Sequence, residues 1–149
     1  MKKYALFIVG SFLSLSALAE NMATGKWQQY DDKTGALQSI MRIEKEGDSY
    51  VGFVDQRFVI PGQSKEDGEP LCTRCTGDIK DKPKLGLKIM TGFKRDGTRY
   101  DHGSILDINS GKTYSCEMAL SDDGQTLTVR GYIGISLLGR SQTWRRLAP

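Results

Sequence analysis

The sequence has 149 residues, with 21 lysines and arginines against 18 aspartates and glutamates, which gives a net charge of +3. A chain of this length is enough for one domain with a hydrophobic core of its own. The near balance of charges gives no electrostatic reason to expect binding to nucleic acid or to an anionic membrane. The composition therefore excludes the classes of protein that bind nucleic acid or anionic membranes through a strongly basic overall charge.

The start of the chain has the pattern of a secretory signal peptide. A lysine pair precedes an almost wholly apolar run over 4–15, and Ala17 and Ala19 occupy the small-residue positions before a cleavage site at Glu20. The run is shorter than the roughly 20 residues that a membrane-spanning helix needs, so a membrane anchor is the less favoured alternative. We therefore predict a signal peptide over 1–19 and export to the bacterial periplasm or medium. The mature chain is expected to have no integral membrane segment.

The rest of the chain, 20–149, alternates β-type segments with turns. Turn sequences that combine Gly with Asp recur at short intervals, and apolar residues alternate with period two between them. Eight strands are predicted from this spacing, near 24–31, 36–46, 48–59, 84–92, 98–107, 112–120, 125–133 and 138–147. Because tight turns join most of these strands, we expect a single all-β domain. Its predicted architecture is an antiparallel up-and-down barrel of about eight strands, which leaves no free sheet edge.

The segment 60–83 interrupts the regular spacing and is predicted to be one long loop. It contains Cys72 and Cys75, and Cys116 lies further along the chain. In an oxidising compartment a structural disulfide is the first expectation, with Cys72–Cys75 favoured and a bond from either residue to Cys116 left open. A thiol-redox site, or a metal site made by the three cysteines and His102, are weaker alternatives. We predict no metal and no cofactor.

The first and last strands carry a paired motif. Gly25-Lys26-Trp27 opens the first predicted strand, and Arg140, Trp144, Arg145 and Arg146 lie on the last. This combination resembles the lipocalin and wider calycin pattern. The resemblance implies that Trp27 closes one end of the barrel. It also implies that an arginine of the last strand stacks on the indole, for which we predict Arg140 or Arg145.

The C-terminal half carries a denser set of motifs, GKTYSC at 111–116, LTVRGYIG at 127–134 and LGRSQTWRR at 138–146. With the Gly-x-Trp and the Cys-x-x-Cys, these are similar to a family of small exported bacterial proteins, domain-of-unknown-function family 2147. The resemblance implies a calycin-like fold and export, and it transfers no catalytic residue. One departure is that Tyr100 and His102 stand where a tryptophan is expected.

A cluster of polar and aromatic residues stands out on the last two predicted strands: Arg130, Tyr132, Arg140, Gln142 and Trp144. By sequence these residues alternate out of phase with Leu127 and Val129. If those two face the core, the cluster either faces solvent or lines a groove at one barrel mouth. In the second case it could bind an anion or carboxylate, with an arginine as the donor and an aromatic ring as a platform. These five residues are therefore the candidate ligand-binding residues.

The sequence contains no complete catalytic set. His102 is the single histidine and falls in a predicted turn, and no Gly-x-Ser-x-Gly elbow is present. We therefore predict no catalytic residues and no enzymatic activity. An eight-stranded barrel is wide enough for one small molecule, so the leading hypothesis is a binding protein for a small apolar or amphipathic ligand. The alternative is a protein-interaction or inhibitor-type envelope module that docks through 60–83.

Overall fold

The computed structural model describes residues 22–148, so the predicted signal peptide lies outside the described residues. Eight strands are present: β1 Gly25–Tyr30, β2 Leu37–Glu46, β3 Ser49–Arg57, β4 Lys88–Asp96, β5 Arg99–Leu106, β6 Thr113–Leu120, β7 Thr126–Tyr132 and β8 Arg140–Arg146. Each strand pairs antiparallel with the next, and β8 pairs with β1 to close the barrel. The predicted all-β, eight-stranded up-and-down barrel is confirmed.

Helical structure in the described part of the chain is confined to short turns. The long connection between β3 and β4 contains the helix α1, Lys65–Gly68, and a 3-10 turn, Gly77–Ile79. A second 3-10 turn, Ser136–Leu138, lies between β7 and β8. Within residues 22–148, no helix has the length and hydropathy that crossing a bilayer would require.

The fourth strand differs from the sequence prediction, which placed it near 84–92 with Leu85 and Leu87 alternating with polar residues. The strand begins at Lys88, and Leu85 is exposed whereas Lys84 is buried. The segment 84–87 instead forms backbone hydrogen bonds with Val54 at the end of the long connection. Apolar and polar residues therefore alternate here in an irregular segment. Alternation in the sequence alone cannot distinguish such a segment from a strand.

The barrel has two unlike ends. We call the end that holds the hairpin turns at 47–48, 97–98 and 121–125 the closed end, because the core fills it. The other end, which we call the open end, holds the four connections 31–36, 58–87, 107–112 and 133–139. Side chains in the closed half interlock closely, since Gly103 leaves the space that the ring of Phe93 occupies. A side chain at position 103 would displace that ring.

Trp27 fills the bottom of the closed end. The side chain is fully buried, and its Nε1 donates a hydrogen bond of 2.8 Å to the carbonyl of Ala23. The guanidinium of Arg146 lies 4.4 Å from the centre of the Trp27 ring. Arg146 also donates to the carbonyls of Met22, Thr24 and Gly124, at 2.6, 2.9 and 2.7 Å. The stacked pair therefore joins the N-terminal segment, the closing strand and one hairpin.

The predicted stack on Trp27 exists, but the predicted arginine is wrong. The β1–β8 register pairs Trp27 with Arg146 and Gln28 with Arg145, which places Arg145 on the outer face. There its guanidinium lies 5.8 Å from the ring of Tyr30. Arg140 lies at the open end of β8 and forms an ion pair with Asp32. The register between β1 and β8 decides which arginine stacks on Trp27. A shift of one residue would move the side chains of β8 to the opposite face of the sheet.

Candidate functional site

The interior of the barrel is not filled at the open end. A cavity of about 640 Å³ opens there between the connecting loops. Its floor is formed by inward-facing core residues, among them Met41, Val54, Val129 and Trp144. Apolar side chains continue up one wall: Ile89, Ile105 and Ile108. The cavity therefore joins an apolar interior to solvent at the mouth of the barrel.

The opposite wall is polar and continuous across β2, β1 and β8. Ser39 Oγ donates to Gln29 Oε1 at 2.6 Å, and Gln29 Nε2 donates to Gln142 Oε1 at 3.0 Å. The indole Nε1 of Trp144 donates to the same Gln142 Oε1 at 3.1 Å, while Gln142 Nε2 donates to Asp32 Oδ2 at 3.0 Å. Each amide Nε2 carries a second hydrogen, so this wall can also donate to a polar group in the cavity.

The cavity mouth carries charges of both signs, because four aspartates line it beside its cationic residues: Asp31, Asp32, Asp67 and Asp107. Arg57 lines it from the end of β3 and Arg74 from the long connection, and Lys84 lies behind them with 2% of its surface exposed. The Nζ of Lys84 is 3.2 Å from Asn109 Oδ1 and 3.3 Å from the carbonyl oxygen of Asp67. Burial lowers the pKa of Lys84, and the nearby Arg57 lowers it further. The carboxylates of Asp67 and Glu69 act in the opposite direction and raise the pKa, so the charge of Lys84 is partly balanced within the long connection.

Contacts with the turn 107–112 fix the long connection onto the barrel mouth, and the disulfide constrains the connection itself. Cys72 and Cys75 form a disulfide, as predicted, and both residues are buried. Arg74 Nη1 donates to the carbonyl of Asn109 at 3.0 Å, and a Cβ at Gly111 would overlap the carbonyl oxygen of Arg74. The connection therefore acts as a fixed wall of the cavity.

Cys116 stays reduced in the core of the barrel. It is fully buried on β6, and burial raises the pKa of its thiol to about 12. The open alternative of a bond from the long loop to Cys116 is wrong, because Cys72 and Cys75 bond to each other. The same bond removes their thiolates as ligands, so the metal site with His102 is also wrong. His102 is exposed on β5 with a φ of 65°, in a strand irregularity and not in the predicted turn.

Three of the five candidate ligand-binding residues line the cavity, Arg140, Gln142 and Trp144. The other two, Arg130 and Tyr132, are not among its lining residues. Pairing of β7 with β8 sets Gln142 opposite Val129 and Trp144 opposite Leu127, on the inner face. The sequence pattern predicts that Gln142 and Trp144 lie on the face opposite to Leu127 and Val129, and this is wrong. The alternation on β7 cannot be continued into β8, because the connection 133–139 between them is irregular.

Some lining residues were not predicted from the sequence. Gln29 and Ser39 point into the barrel and together begin the polar wall. Gln29 could have been found, because it lies two positions from Trp27 on the same strand face. Arg57 and Arg74 depend on how the long connection folds over the mouth, and no local pattern indicates that.

The closed eight-stranded up-and-down barrel has a lipocalin-like fold. Protein HP1028 from the human pathogen Helicobacter pylori, described as belonging to the lipocalin family, has a similar solved structure. The TM-score is 0.71 at 15% sequence identity, covering 85% of this chain and 84% of that chain. At this identity the likeness concerns the fold alone.

Sequence comparison identifies the family. The family model for uncharacterized proteins conserved in bacteria (DUF2147) matches residues 25–146, and the chain belongs to that family. Comparison with curated proteins gives no match. The family resemblance predicted from the motifs is therefore confirmed.

Proposed function

We propose that this protein is exported and binds one small apolar or amphipathic molecule in the barrel cavity, without catalysing a reaction. The observation that carries the proposal is the open cavity of about 640 Å³ above the residues of the barrel core. This volume lies in the range of about 300–1,000 Å³ that is typical of small-molecule sites. Most residues that line the mouth are polar or charged, while the floor is apolar, so the cavity offers a ligand both kinds of contact.

The two walls of the cavity favour a ligand with unlike ends. An apolar portion would pack on Val54, Val129 and Ile105, which lose water on binding. A polar or acidic group would meet the amide of Gln142 or the guanidinium of Arg57 nearer the mouth. An entirely polar ligand would leave the apolar floor without a matching surface, so we propose an amphipathic or apolar ligand.

Export is supported by the sequence of the first residues. We expect N-terminal sequencing of the protein recovered from the bacterial periplasm or medium to begin at Glu20, because Ala17 and Ala19 precede that bond. A disulfide between Cys72 and Cys75 is in keeping with an oxidising compartment. Recovery of the chain with its N-terminal lysines intact from that compartment would contradict the cleavage.

Native mass spectrometry of the protein purified from its own cells tests the ligand proposal. A mass above that of the polypeptide, lost on unfolding as a small molecule, is the expected result. A co-purifying protein in place of a small molecule would instead support the alternative, a protein-interaction or inhibitor-type module. That alternative would dock through the 60–83 loop, where Leu71 is exposed.

A further inference from the structure

Large hydrophobic side chains are exposed at one end of the barrel only. Within residues 22–148 the exposed ones all lie in the connections of the open end, and we call them the apolar rim: Phe58, Val59, Leu71, Leu85, Ile133, Ile135, Leu137 and Leu138. Single exposed hydrophobic residues are ordinary on a protein surface. Four of them, Ile133, Ile135, Leu137 and Leu138, lie within one short connection, and this local concentration indicates a surface that contacts something apolar.

The connection 133–139 presents four of these side chains on a fixed support. Arg130 Nε donates to the carbonyl oxygen of Ser136 at 2.6 Å, and Ser136 Oγ donates to Glu117 Oε1 at 2.6 Å. The next two residues, Leu137 and Leu138, are 86% and 77% exposed. The polar backbone of the turn is thus held against the barrel while the leucines project into solvent. This arrangement gives Arg130 a structural role in holding the connection against the barrel.

The chemistry of this connection favours a bilayer as the occupant. No charged residue lies between Arg130 and Arg140, and the projecting side chains are all aliphatic. Protein interfaces concentrate their binding energy in Trp, Tyr and Arg, with Leu under-represented. A projecting aliphatic loop instead matches the acyl boundary of a membrane, with cationic side chains at its base near the headgroups.

We propose that the apolar rim docks the open end of the barrel onto a phospholipid surface, with Leu137 and Leu138 inserting between the lipids. Arg140 flanks the connection with a side chain that is 72% exposed, and the guanidinium N–H groups that do not contact Asp32 can reach headgroup phosphates. The cavity mouth then faces the membrane. This goes beyond the proposed function, because it does not require a ligand in the cavity.

Flotation with vesicles of phosphatidylethanolamine and a minority of phosphatidylglycerol tests the proposal on the full mature chain. Wild-type protein is expected to float with the vesicles. A Leu137→Asp/Leu138→Asp variant should bind about ten-fold more weakly or worse, because the inserted apolar area is lost. Both leucines are exposed, so the variant is expected to fold, which far-ultraviolet circular dichroism would check.

The matched control is Lys45→Glu, which makes the same change in net charge on β2 near the closed end, at an exposed position. It should float like the wild type. Wild-type protein that stays with the unbound fraction, or a double-leucine variant that floats equally well, would overturn the proposal. So would a wild-type dimer that the leucine substitutions abolish without vesicles, since the rim would then be a self-association surface.

Discussion

Replacing Trp27 by alanine should lower the free energy of unfolding by about 3–5 kcal/mol, as for other large-to-small changes in a core. The indole is fully buried at the closed end and sits between the guanidinium of Arg146 and the barrel core. Its removal leaves a cavity at the seam where β1 meets β8, which is held by few strand pairs. Urea unfolding followed by circular dichroism would measure the change from the transition midpoint. A loss below about 1 kcal/mol would contradict the structural role of this residue.

A pair of arginine variants separates the stack from general charge effects. Arg146→Lys should cost about 1.5–3 kcal/mol, because an ammonium cannot stack on Trp27 and reach the carbonyls of Met22, Thr24 and Gly124 at once. The neighbouring Arg145→Lys is the control and should change stability by about 0.5 kcal/mol or less, since Arg145 faces outward. Equal effects of the two substitutions would show that the guanidinium stack does not matter.

Much of the architecture could be predicted because alternation and turn residues are local signals. Trp27 could be assigned to the barrel end from its motif, whereas its partner Arg146 could not. The partner depends on the register between β1 and β8, which closure of the whole barrel sets. The same dependence on strand register explains why the sequence pattern predicts the wrong face of β8 for Gln142 and Trp144.

The strand β4 and the long connection show a second limit. Gly92, with a φ of 79°, lies in an irregularity that lets Met90 and Phe93 both enter the core although they are three residues apart. A bulge of this kind breaks the period of two on which the prediction rested. Burial of Lys84 depends on the fold of distant segments, including Asn109. No property of the sequence around position 84 indicates that contact.

Replacing Gly131 by phenylalanine should strongly weaken ligand binding and leave the barrel folded. Gly131 lies on β7 and lines the cavity, and a Cβ placed there meets its nearest neighbours at 3.8–3.9 Å, which is ordinary van der Waals contact. A side chain can therefore start from this position without strain and extend into the open space. The ring would occupy the volume that the apolar part of a ligand needs. We expect the dissociation constant of an apolar fluorescent probe to rise about ten-fold or more, because several ligand atoms lose their contacts.

The matched control is Thr128→Phe, on the outer face of the same strand, where the side chain is exposed. It adds the same ring to the surface and should leave both probe affinity and the melting temperature unchanged. Gly131→Val serves as a smaller filler and should weaken binding less than phenylalanine, since it takes up less of the cavity. A Gly131→Phe barrel that melts like the wild type and still binds the probe with unchanged affinity would place the binding site elsewhere. Valine should reduce the affinity less than phenylalanine, because the affinity in an apolar cavity depends on how many contacts the remaining space allows the ligand to make.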